Sequence, residues 1–506
     1  MMKLWGLTLL ACLLCACSGP STEVPTPPPN IVLFLVDDLG WQDTSVPFWD
    51  QETPFNQRYK TPNMERLASQ GMKFTQAYAT PVCSPTRVSL MTGMNTARHR
   101  VTNWTLHRDR IQPMEREHQS LEFPLWNVNG LSPDSTLQNS VFATTLPEIL
   151  QTNGYHTIHV GKAHFGAIGT PGEDPLNLGF EVNIAGHAAG APKSYYGTEN
   201  FGNTPEFENT PWPVPGLDKY HGEDIFLTDA LTTEALGALD QNTKPFFLYM
   251  AYYTVHTPIM ANPKFLNYYL ELGLDSIEAS YASMIESMDY SVGRIMDYLE
   301  EKQLTENTVI LFMSDNGGLS AIARGGEPHT HNKPLSSGKG SIHEGGIREP
   351  MIVKWPGVVS PGSENANYLI IEDFFPSILE IASIDQYKTT QTLDGRSFIP
   401  FLKNNQPEVQ DRPLYWHFPN EWGPTGPGIG AFSAVRKGNW KLIYYHLDQR
   451  YELFNINKDI GETTNLAESN QTIRKDLATL LTNYLLSVKA QMPKYKQSGE
   501  FVPMPG

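Results

Sequence analysis

Apolar runs that alternate with helical stretches constrain the fold of this chain more than any other feature. The run at 31–36 is continuously apolar, as expected for a strand that is buried on both faces. Comparable runs lie at 157–160, 246–250 and 309–313, and stretches with helical spacing lie at 146–153, 224–239 and 277–302. This alternation predicts an α/β fold with a large, mostly parallel sheet flanked by helices.

Polar side chains follow each apolar run, beyond the point where the strand should end. They are Asp37 and Asp38, Lys162 and His164, His256, and Asp315 and Asn316. Because the carboxyl ends of parallel strands line the ligand crevice of such a sheet, we expect these side chains to converge. Lys162 and His164 are two residues apart, so in an extended segment both side chains would point to the same side.

Side-chain oxygens gathered at one sheet edge need a positive counter-charge and therefore predict a metal site. The oxygen donors are Asp37, Asp38, Asp315 and Asn316. An all-oxygen set suits Ca²⁺, with Mg²⁺ as the less favoured alternative. Zinc would require more nitrogen or sulfur, and His329 and His331 are interpreted as substrate contacts or surface residues in a Gly/Pro-rich loop.

Cys83 is the single cysteine outside the N-terminal leader, so it cannot close an intramolecular disulfide. Pro85 suits the first turn of a helix that continues to Gly93. Cys83 would then lie at the positive end of that helix with Arg87 one turn further on, where an anion is stabilised. An inert core cysteine is the alternative, but these neighbours favour a reactive residue.

The N-terminus has the pattern of an export signal. Lys3 precedes an apolar run at 4–14 that is too short to span a bilayer, and Cys17 follows a small residue as in a bacterial lipoprotein box. We therefore expect a signal region at 1–17, a lipid on Cys17 and a proline-rich tether at 18–30. An ordinary cleaved signal is the alternative. This predicts an exported bacterial lipoprotein, in the periplasm or at the outer membrane or cell surface, with membrane attachment only through the lipid.

Length and charge set the remaining bounds. The mature chain is too long for one simple core, and we expect a catalytic domain at 31–408 and a smaller α+β subdomain with an antiparallel sheet at 409–506. The formal net charge of −17 argues against a nucleic-acid partner. Any anion site must therefore be a local cluster of basic residues and metal.

Taken together, these motifs resemble those of the type I, formylglycine-dependent sulfatases of the alkaline phosphatase superfamily. The matching elements are Cys-x-Pro-x-Arg at 83–87, Asp-Asp-Leu-Gly at 37–40, Gly-Lys-x-His at 161–164, His-x-Pro at 256–258, Ser-Asp-Asn-Gly-Gly at 314–318 and Gly-Lys-Gly at 338–340. Ala163 and His343 depart from the family, which often has aromatic residues there.

The resemblance implies that a formylglycine-generating maturation enzyme oxidises Cys83 to formylglycine (3-oxoalanine), whose hydrate is the nucleophile. It also implies that Ca²⁺ is held by Asp37, Asp38, Asp315 and Asn316 together with the group at position 83. The remaining catalytic residues are Arg87, Lys162, His164, His256 and Lys339. Arg87 would hold the hydrate, and Lys162, Lys339 and His256 would bind sulfate oxygens. His256 or Lys339 would protonate the leaving alcohol, and His164 would take the proton that allows sulfate to leave.

A bacterial lipoprotein of this kind is expected to act on sulfated carbohydrates or polysaccharides. Residues that could stack on sugars or set specificity are Trp41, Trp49, Trp104, Trp126, Trp212 and the segments 98–104 and 329–331. Two other functions stay open: a phosphonate or phosphate ester hydrolase of the same superfamily, and a non-catalytic glycan-binding lipoprotein. The intact cysteine motif and the complete ligand set favour the sulfatase.

Overall fold

The computed structural model describes residues 27–112, 118–321, 324–403 and 411–506. Its strands are β1 (Asn30–Val36), β2 (Met72–Tyr78), β3 (Leu121–Glu122), β4 (His156–Gly161), β5 (Val182–Ile184), β6 (Phe246–Ala251), β7 (Thr308–Ser314), β8 (Arg348–Lys354), β9 (Ser363–Asn365), β10 (Leu369–Ile370), β11 (Leu414–Phe418), β12 (Phe432–Lys437), β13 (Trp440–Tyr445), β14 (Tyr451–Asn455) and β15 (Lys494–Tyr495). Its α-helices are α1 (Pro54–Arg58), α2 (Pro62–Gln70), α3 (Cys83–Thr92), α4 (Thr96–His99), α5 (Leu146–Thr152), α6 (Leu227–Asp240), α7 (Pro263–Glu271), α8 (Ser276–Glu301), α9 (Glu344–Ile347), α10 (Phe374–Ile381), α11 (Ile399–Lys403) and α12 (Gln471–Ser487).

The main sheet has nine strands among the described residues, in the order β10-β2-β8-β7-β1-β6-β4-β5, with β9 also paired to β2. Strand β8 runs antiparallel to β7 and β2, and the other pairs of the sheet are parallel. The predicted large, mostly parallel sheet is therefore confirmed. The strands β1, β4, β6 and β7 are neighbours and end at the same carboxyl edge of the sheet. This agrees with the expectation that the carboxyl ends of parallel strands lie together.

Strand β1 shows why its run is apolar throughout. Leu33 and Leu35 pack into the hydrophobic cluster on one face of the sheet, and Phe34 and Val36 pack into the cluster on the other. Helices on both faces cover the sheet: α3, α5 and α10 contribute to the first cluster, and α2, α6 and α8 to the second. Both faces of the strand are thus removed from water, which favours apolar residues at every position.

The C-terminal part forms a four-stranded antiparallel sheet, β11-β12-β13-β14, as predicted. Leu442 and Leu453 on one face pack against Leu481 of α12. Ala434 and Ile443 on the other face belong to the same hydrophobic cluster as Leu33 of the main sheet. The two sheets therefore share one core.

Three sequence-based predictions fall outside the described residues. The signal region and Cys17 lie in 1–26, as does most of the tether. The boundary between 408 and 409 lies in 404–410. Across the part of the chain that the structure describes, no helix is both long enough and apolar enough to cross a membrane.

Candidate active site

Four oxygen-bearing residues meet where two neighbouring strands end. Asp37 and Asp38 follow β1, and Asp315 and Asn316 follow β7, which is paired with β1 in register. The Asn316 Nδ2 donates to Asp38 Oδ1 at 2.8 Å, and the Asp38 backbone N–H donates to Asp315 Oδ1 at 3.3 Å. Sequence reasoning expected this meeting, because adjacent parallel strands end at the same edge.

A buried cation pairs with each of the three carboxylates. Lys162 Nζ lies 2.7 Å from Asp37, and Lys339 Nζ lies 2.6 Å from Asp38. The Arg87 guanidinium donates to Asp315 Oδ2 at 2.9 and 2.8 Å and to the Lys162 carbonyl at 2.7 Å. Burial opposes the charge on Arg87, but Asp315 raises its pKa overall. Three cationic side chains thus face three carboxyl groups in a region closed to water, where burial raises the pKa of Asp37 well above its usual value although Lys162 opposes this effect.

Two acceptors of this cluster lack a partner even so. Asp38 Oδ2 and Asn316 Oδ1 are buried and accept no hydrogen bond from the described residues. Buried acceptors without a partner are costly, and these two lie beside Asp37 and Asp315. Burial opposes ionisation of Asp38, but Lys339 and His256 lower its pKa to about 2, so Asp38 is an anion at neutral pH. The donor set therefore fits a hard divalent cation.

His256 also lies near this cluster. Its Nε2 is 3.7 Å from Asp38 Oδ2, and the nearest ligand atoms of Asp37, Asp38 and His256 all lie within 4.8 Å of one another. Its Nδ1 is 2.9 Å from the Thr257 carbonyl, which can only accept, so Nδ1 carries the proton. Burial and Lys339 lower the pKa of His256 to about 3, which leaves the ring neutral. A nitrogen donor is thus within reach of the oxygen set, which sequence reasoning had not included.

Cys83 is the first residue of α3, and its predicted helix is confirmed. The side chain lies 3.4 Å from His164, measured from Sγ to Nδ1. Burial raises the pKa of the thiol, although Lys162 and Lys339 oppose this effect. A cysteine nucleophile requires a lowered pKa, because the thiolate attacks. As an unmodified side chain, Cys83 is therefore poorly suited to nucleophilic catalysis.

His164 faces Cys83 with an unprotonated nitrogen. Its Nε2 lies 2.7 Å from the Thr105 carbonyl and must donate to it, which leaves a lone pair on Nδ1. Burial and then Lys162 lower the pKa of His164 well below its usual value. The neutral ring can accept a proton from a group at position 83.

The expectation that Lys162 and His164 lie in one extended segment is wrong. Strand β4 ends at Gly161, and His164 has a left-handed backbone with φ of 54°. The change of direction lets Lys162 reach Asp37 while His164 reaches Cys83. Gly190 packs on the imidazole so closely that a Cβ there would lie 2.4 Å from His164 Cε1.

A cavity of about 710 Å³ opens above these residues. Four of the predicted site residues line it: Cys83, His164, His256 and Lys339. Asp37, Asp38, Arg87, Lys162, Asp315 and Asn316 are fully or almost fully buried beneath their neighbours. The structure therefore brings all ten predicted residues into one region, with the charged cluster below and the cavity above.

Tryptophans form much of the remaining wall. Trp104 and Trp212 line the cavity, whereas Trp41 and Trp126 are each only 1% exposed and belong to the core, and Trp49 lines a separate pocket. In the segment 98–104, Trp104 is the residue that lines the cavity, and neither His329 nor His331 does so.

Sequence reasoning missed several residues of the cavity wall, and two of them bear on ligand binding. They are Lys193 and Trp422. Both lie in irregular segments without hydrophobic periodicity, so no pattern could have singled them out.

Comparisons with known proteins agree with this geometry. The sulfatase family model matches residues 29–384, and a model described as N-sulphoglucosamine sulphohydrolase, C-terminal, matches residues 338–491. A sulfatase of Formosa agariphila is 30% identical over 94% of this chain and 92% of its own length. Human N-acetylgalactosamine-6-sulfatase is 30% identical over 93% of this chain and 87% of that protein. The crystal structure of Ps i-CgsB in complex with k-i-k-neocarrahexaose has a TM-score of 0.71 and 26% identity, over 94% of this chain and 95% of that chain.

The family model covers more than half of the chain, and two relatives reach 30% identity across almost all of it. Members of the family depend on a metal and on formylglycine. The donors around Asp38 and the position of Cys83 suit both. The chain therefore belongs to the sulfatase family and is a sulfuric ester hydrolase.

Proposed function

We propose that this sulfatase releases inorganic sulfate from sulfated carbohydrates, with formylglycine at position 83 and Ca²⁺ beside it. The observation that carries the proposal is the cavity itself, where Cys83, His164, His256 and Lys339 share one space with three tryptophans. Indole faces are suited to stacking on sugars, since they present a large rigid apolar surface. Two relatives support a carbohydrate substrate, one by its name as an N-acetylgalactosamine sulfatase and one by its bound neocarrahexaose.

The burial of the Cys83 thiol and its position beside His164 support a modified side chain at position 83. Formylglycine, when formed there by a maturation enzyme, supplies the hydrated aldehyde oxygen that serves as nucleophile in place of the thiol. The Sγ of Cys83 lies 3.4 Å from His164 Nδ1, so His164 is the base nearest to a group carried at this position. His164 would take a proton from the group at position 83, because its other nitrogen is already committed to Thr105.

Asp37, Asp38, Asp315 and Asn316 would hold Ca²⁺, or Mg²⁺ less favourably. When bound, the cation supplies positive charge that stabilises the negative charge developing on the sulfuryl group. Lys162 donates to Asp37 and Arg87 donates to Asp315, and these contacts orient the two carboxyl groups. These contacts fix the donors, so no side chain has to be ordered when the ion binds.

Lys339 is the charged side chain of the cavity wall that lies nearest the cluster. Burial opposes its charge, but Asp38 raises its pKa, so it is protonated at neutral pH. It would bind a sulfate oxygen, and because His256 is neutral, Lys339 is the member of the pair that holds a proton for the leaving alcohol. One preorganised charged donor of this kind is worth about 3–4 kcal/mol in the transition state.

The test is sulfate release from a panel of defined sulfated oligosaccharides, measured by ion chromatography, with phosphate and phosphonate monoesters assayed in parallel. We expect sulfate from at least one glycan, and mass spectrometry of the tryptic peptide around position 83 should show the aldehyde. Cys83→Ala and Cys83→Ser should both fold normally and lose turnover. Faster hydrolysis of phosphonates than of every sulfate ester, or an active enzyme with only unmodified cysteine, would refute the proposal.

We also propose that the protein is an exported lipoprotein anchored through Cys17, on the basis of the leader sequence alone. In a bacterial host, the wild-type protein should partition into detergent and incorporate labelled palmitate, and Cys17→Ala should do neither. Equal labelling of both proteins would exclude this site of attachment.

A further inference from the structure

Lys193 is a second cation in the wall of the active-site cavity. The other lysine of the wall, Lys339, is paired with Asp38 at 2.6 Å. Lys193 takes part in no ion pair with the residues that the structure describes, and its Nζ lies over the ring of Phe207, 3.8 Å from the centroid. A cation–π contact holds the ammonium in place without neutralising it. Lys193 thus offers its charge to whatever occupies the cavity.

The backbone before Lys193 is attached to the catalytic histidine. The His187 carbonyl accepts a hydrogen bond from the His164 N–H at 3.1 Å, and Gly190 packs on the imidazole of His164. Lys193 is three residues beyond Gly190, so its Cα lies within about 10 Å of that glycine. The segment that carries Lys193 is thus anchored at His164, and Lys193 and Cys83 line the same cavity.

Lys193 is also attached to an aromatic wall. Its backbone N–H donates to the Trp212 carbonyl at 2.8 Å, and Trp212 lines the same cavity. Trp422, in the loop between β11 and β12, lines the cavity too, and Lys339 Nζ lies 6.0 Å from the centroid of its ring. A sugar that occupies this cavity would lie in the space that Lys193, Trp212 and Trp422 share. The chain has a net charge of −17 and therefore repels anions on the whole. A cation without an ion-pair partner at this point would attract an anionic group locally.

We propose that Lys193, with Trp212 and Trp422, forms a subsite that binds a second anionic group of the substrate, distinct from the ester that is cleaved. The preferred substrates are then glycans with a sulfate or carboxylate near the scissile sulfate. Lys193 is the residue that selects for this second charge. This inference rests on the proposed carbohydrate sulfatase function and specifies its substrate class.

Two pairs of probes test the subsite. The first pair is κ-neocarrabiose, with one sulfate, and ι-neocarrabiose, with two. The second pair is N-acetylgalactosamine 6-sulfate and the unsaturated chondroitin 6-sulfate disaccharide, which adds a carboxylate on the neighbouring sugar. For Lys193→Met, we expect kcat/KM to fall about five- to tenfold more for the dianionic member of at least one pair than for its partner, as for a half-buried ion pair. Lys193→Arg should restore the preference, and rising salt should reduce it in the wild-type enzyme.

Lys264→Met is the matched control. Lys264 also lies over an aromatic ring, with its Nζ 3.3 Å from the centroid of Tyr290, but it is outside the cavity wall. The control should keep the wild-type ratio within each pair. Wild-type enzyme that releases sulfate but prefers neither dianionic probe would overturn the subsite, and so would an unchanged ratio in Lys193→Met. Release of no sulfate from any ester would instead refute the sulfatase proposal.

Discussion

Replacement of Lys441 by methionine should destabilise the protein strongly. Lys441 lies on β13, and its Nζ is 2.9 Å from Glu344 and 2.8 Å from Glu462. All three side chains are 0% exposed. Methionine keeps the length of the side chain but removes the charge, which leaves two buried carboxylates without this partner. Breaking a buried ion pair in this way costs about 3–5 kcal/mol in the free energy of unfolding.

The pKa of Glu344 gives a second route to the same magnitude. Burial opposes ionisation of Glu344, but Lys441, followed by Arg348 and Arg436, lowers its pKa from 4.5 to about 2. A difference of this size corresponds to about 3 kcal/mol of stabilisation in the folded state. Lys441 lowers the pKa more than Arg348 or Arg436 does, so its removal should reduce this stabilisation more than removal of either arginine.

The pH dependence has a definite sign. A carboxyl group whose pKa is depressed by folding stabilises the protein fully above its unfolded pKa, and this contribution is lost as the pH falls through the folded value. For Glu344 the window runs from 4.5 down to about 2. The difference in stability between the wild type and Lys441→Met should therefore be largest at about pH 7 and smaller below about pH 4.

Urea unfolding followed by tryptophan fluorescence measures these differences. Lys437→Met is the control, since Lys437 pairs with Asp411 at 2.8 Å on the surface, where the two side chains are 38% and 83% exposed. Loss of such a pair costs less than about 1 kcal/mol. If Lys441→Met costs no more than Lys437→Met, the buried network contributes no net stability and the reasoning fails.

Three further predictions concern catalysis. Lys339→Ala should lower kcat about 10²- to 10³-fold, as for the loss of one preorganised donor. Lys333 is exposed, so Lys333→Ala should keep the wild-type kcat. If Lys339→Ala also keeps the wild-type kcat, Lys339 is not part of the site. Gly340→Ala should reduce kcat/KM for glycans at least about tenfold, because φ is +85° and the new Cβ would lie 2.0 Å from Trp422. Gly222 has a similar φ of +81° with open space around it, and Gly222→Ala is therefore the control. If kcat/KM falls as much in Gly222→Ala as in Gly340→Ala, backbone strain alone explains the loss. Dialysis against EDTA should abolish activity and Ca²⁺ should restore it; full activity in protein shown to be metal-free by mass spectrometry would exclude a metal-dependent reaction.

The strands of the main sheet were predictable wherever both faces are buried. The runs of β1, β6 and β7 are apolar because water reaches neither face, and each prediction was correct to within about one residue at either end. Strand β2 was not predicted, because Lys73 and Gln76 are only partly buried and interrupt its apolar run. This strand leads the chain to α3, and so it also delivers Cys83 to the carboxyl edge.

The site was predictable where strand order decides the position of a side chain. Asp38 and Asn316 meet because β1 and β7 are neighbours; the sequence pattern predicted that these strand ends converge, but not which strands are adjacent. Trp422 could not be found in this way, since it lies in an irregular loop of the C-terminal sheet and reaches the cavity only through tertiary packing. Trp41 shows the converse, because residue type alone does not distinguish a core indole from one that lines a cavity.

The loop that carries Trp422 joins β11 to β12, whereas the group at position 83 and its charged neighbours are mounted on the main sheet. Part of the cavity wall thus comes from a stretch of the gene that encodes none of the charged cluster, and the common hydrophobic core holds the two parts together. Substitutions in this loop can therefore change the shape of the cavity without changing any residue of the charged cluster. Replacement of the C-terminal part by that of another protein would also replace residues of the shared core. The core would then have to be repacked before an effect on substrate preference could be measured.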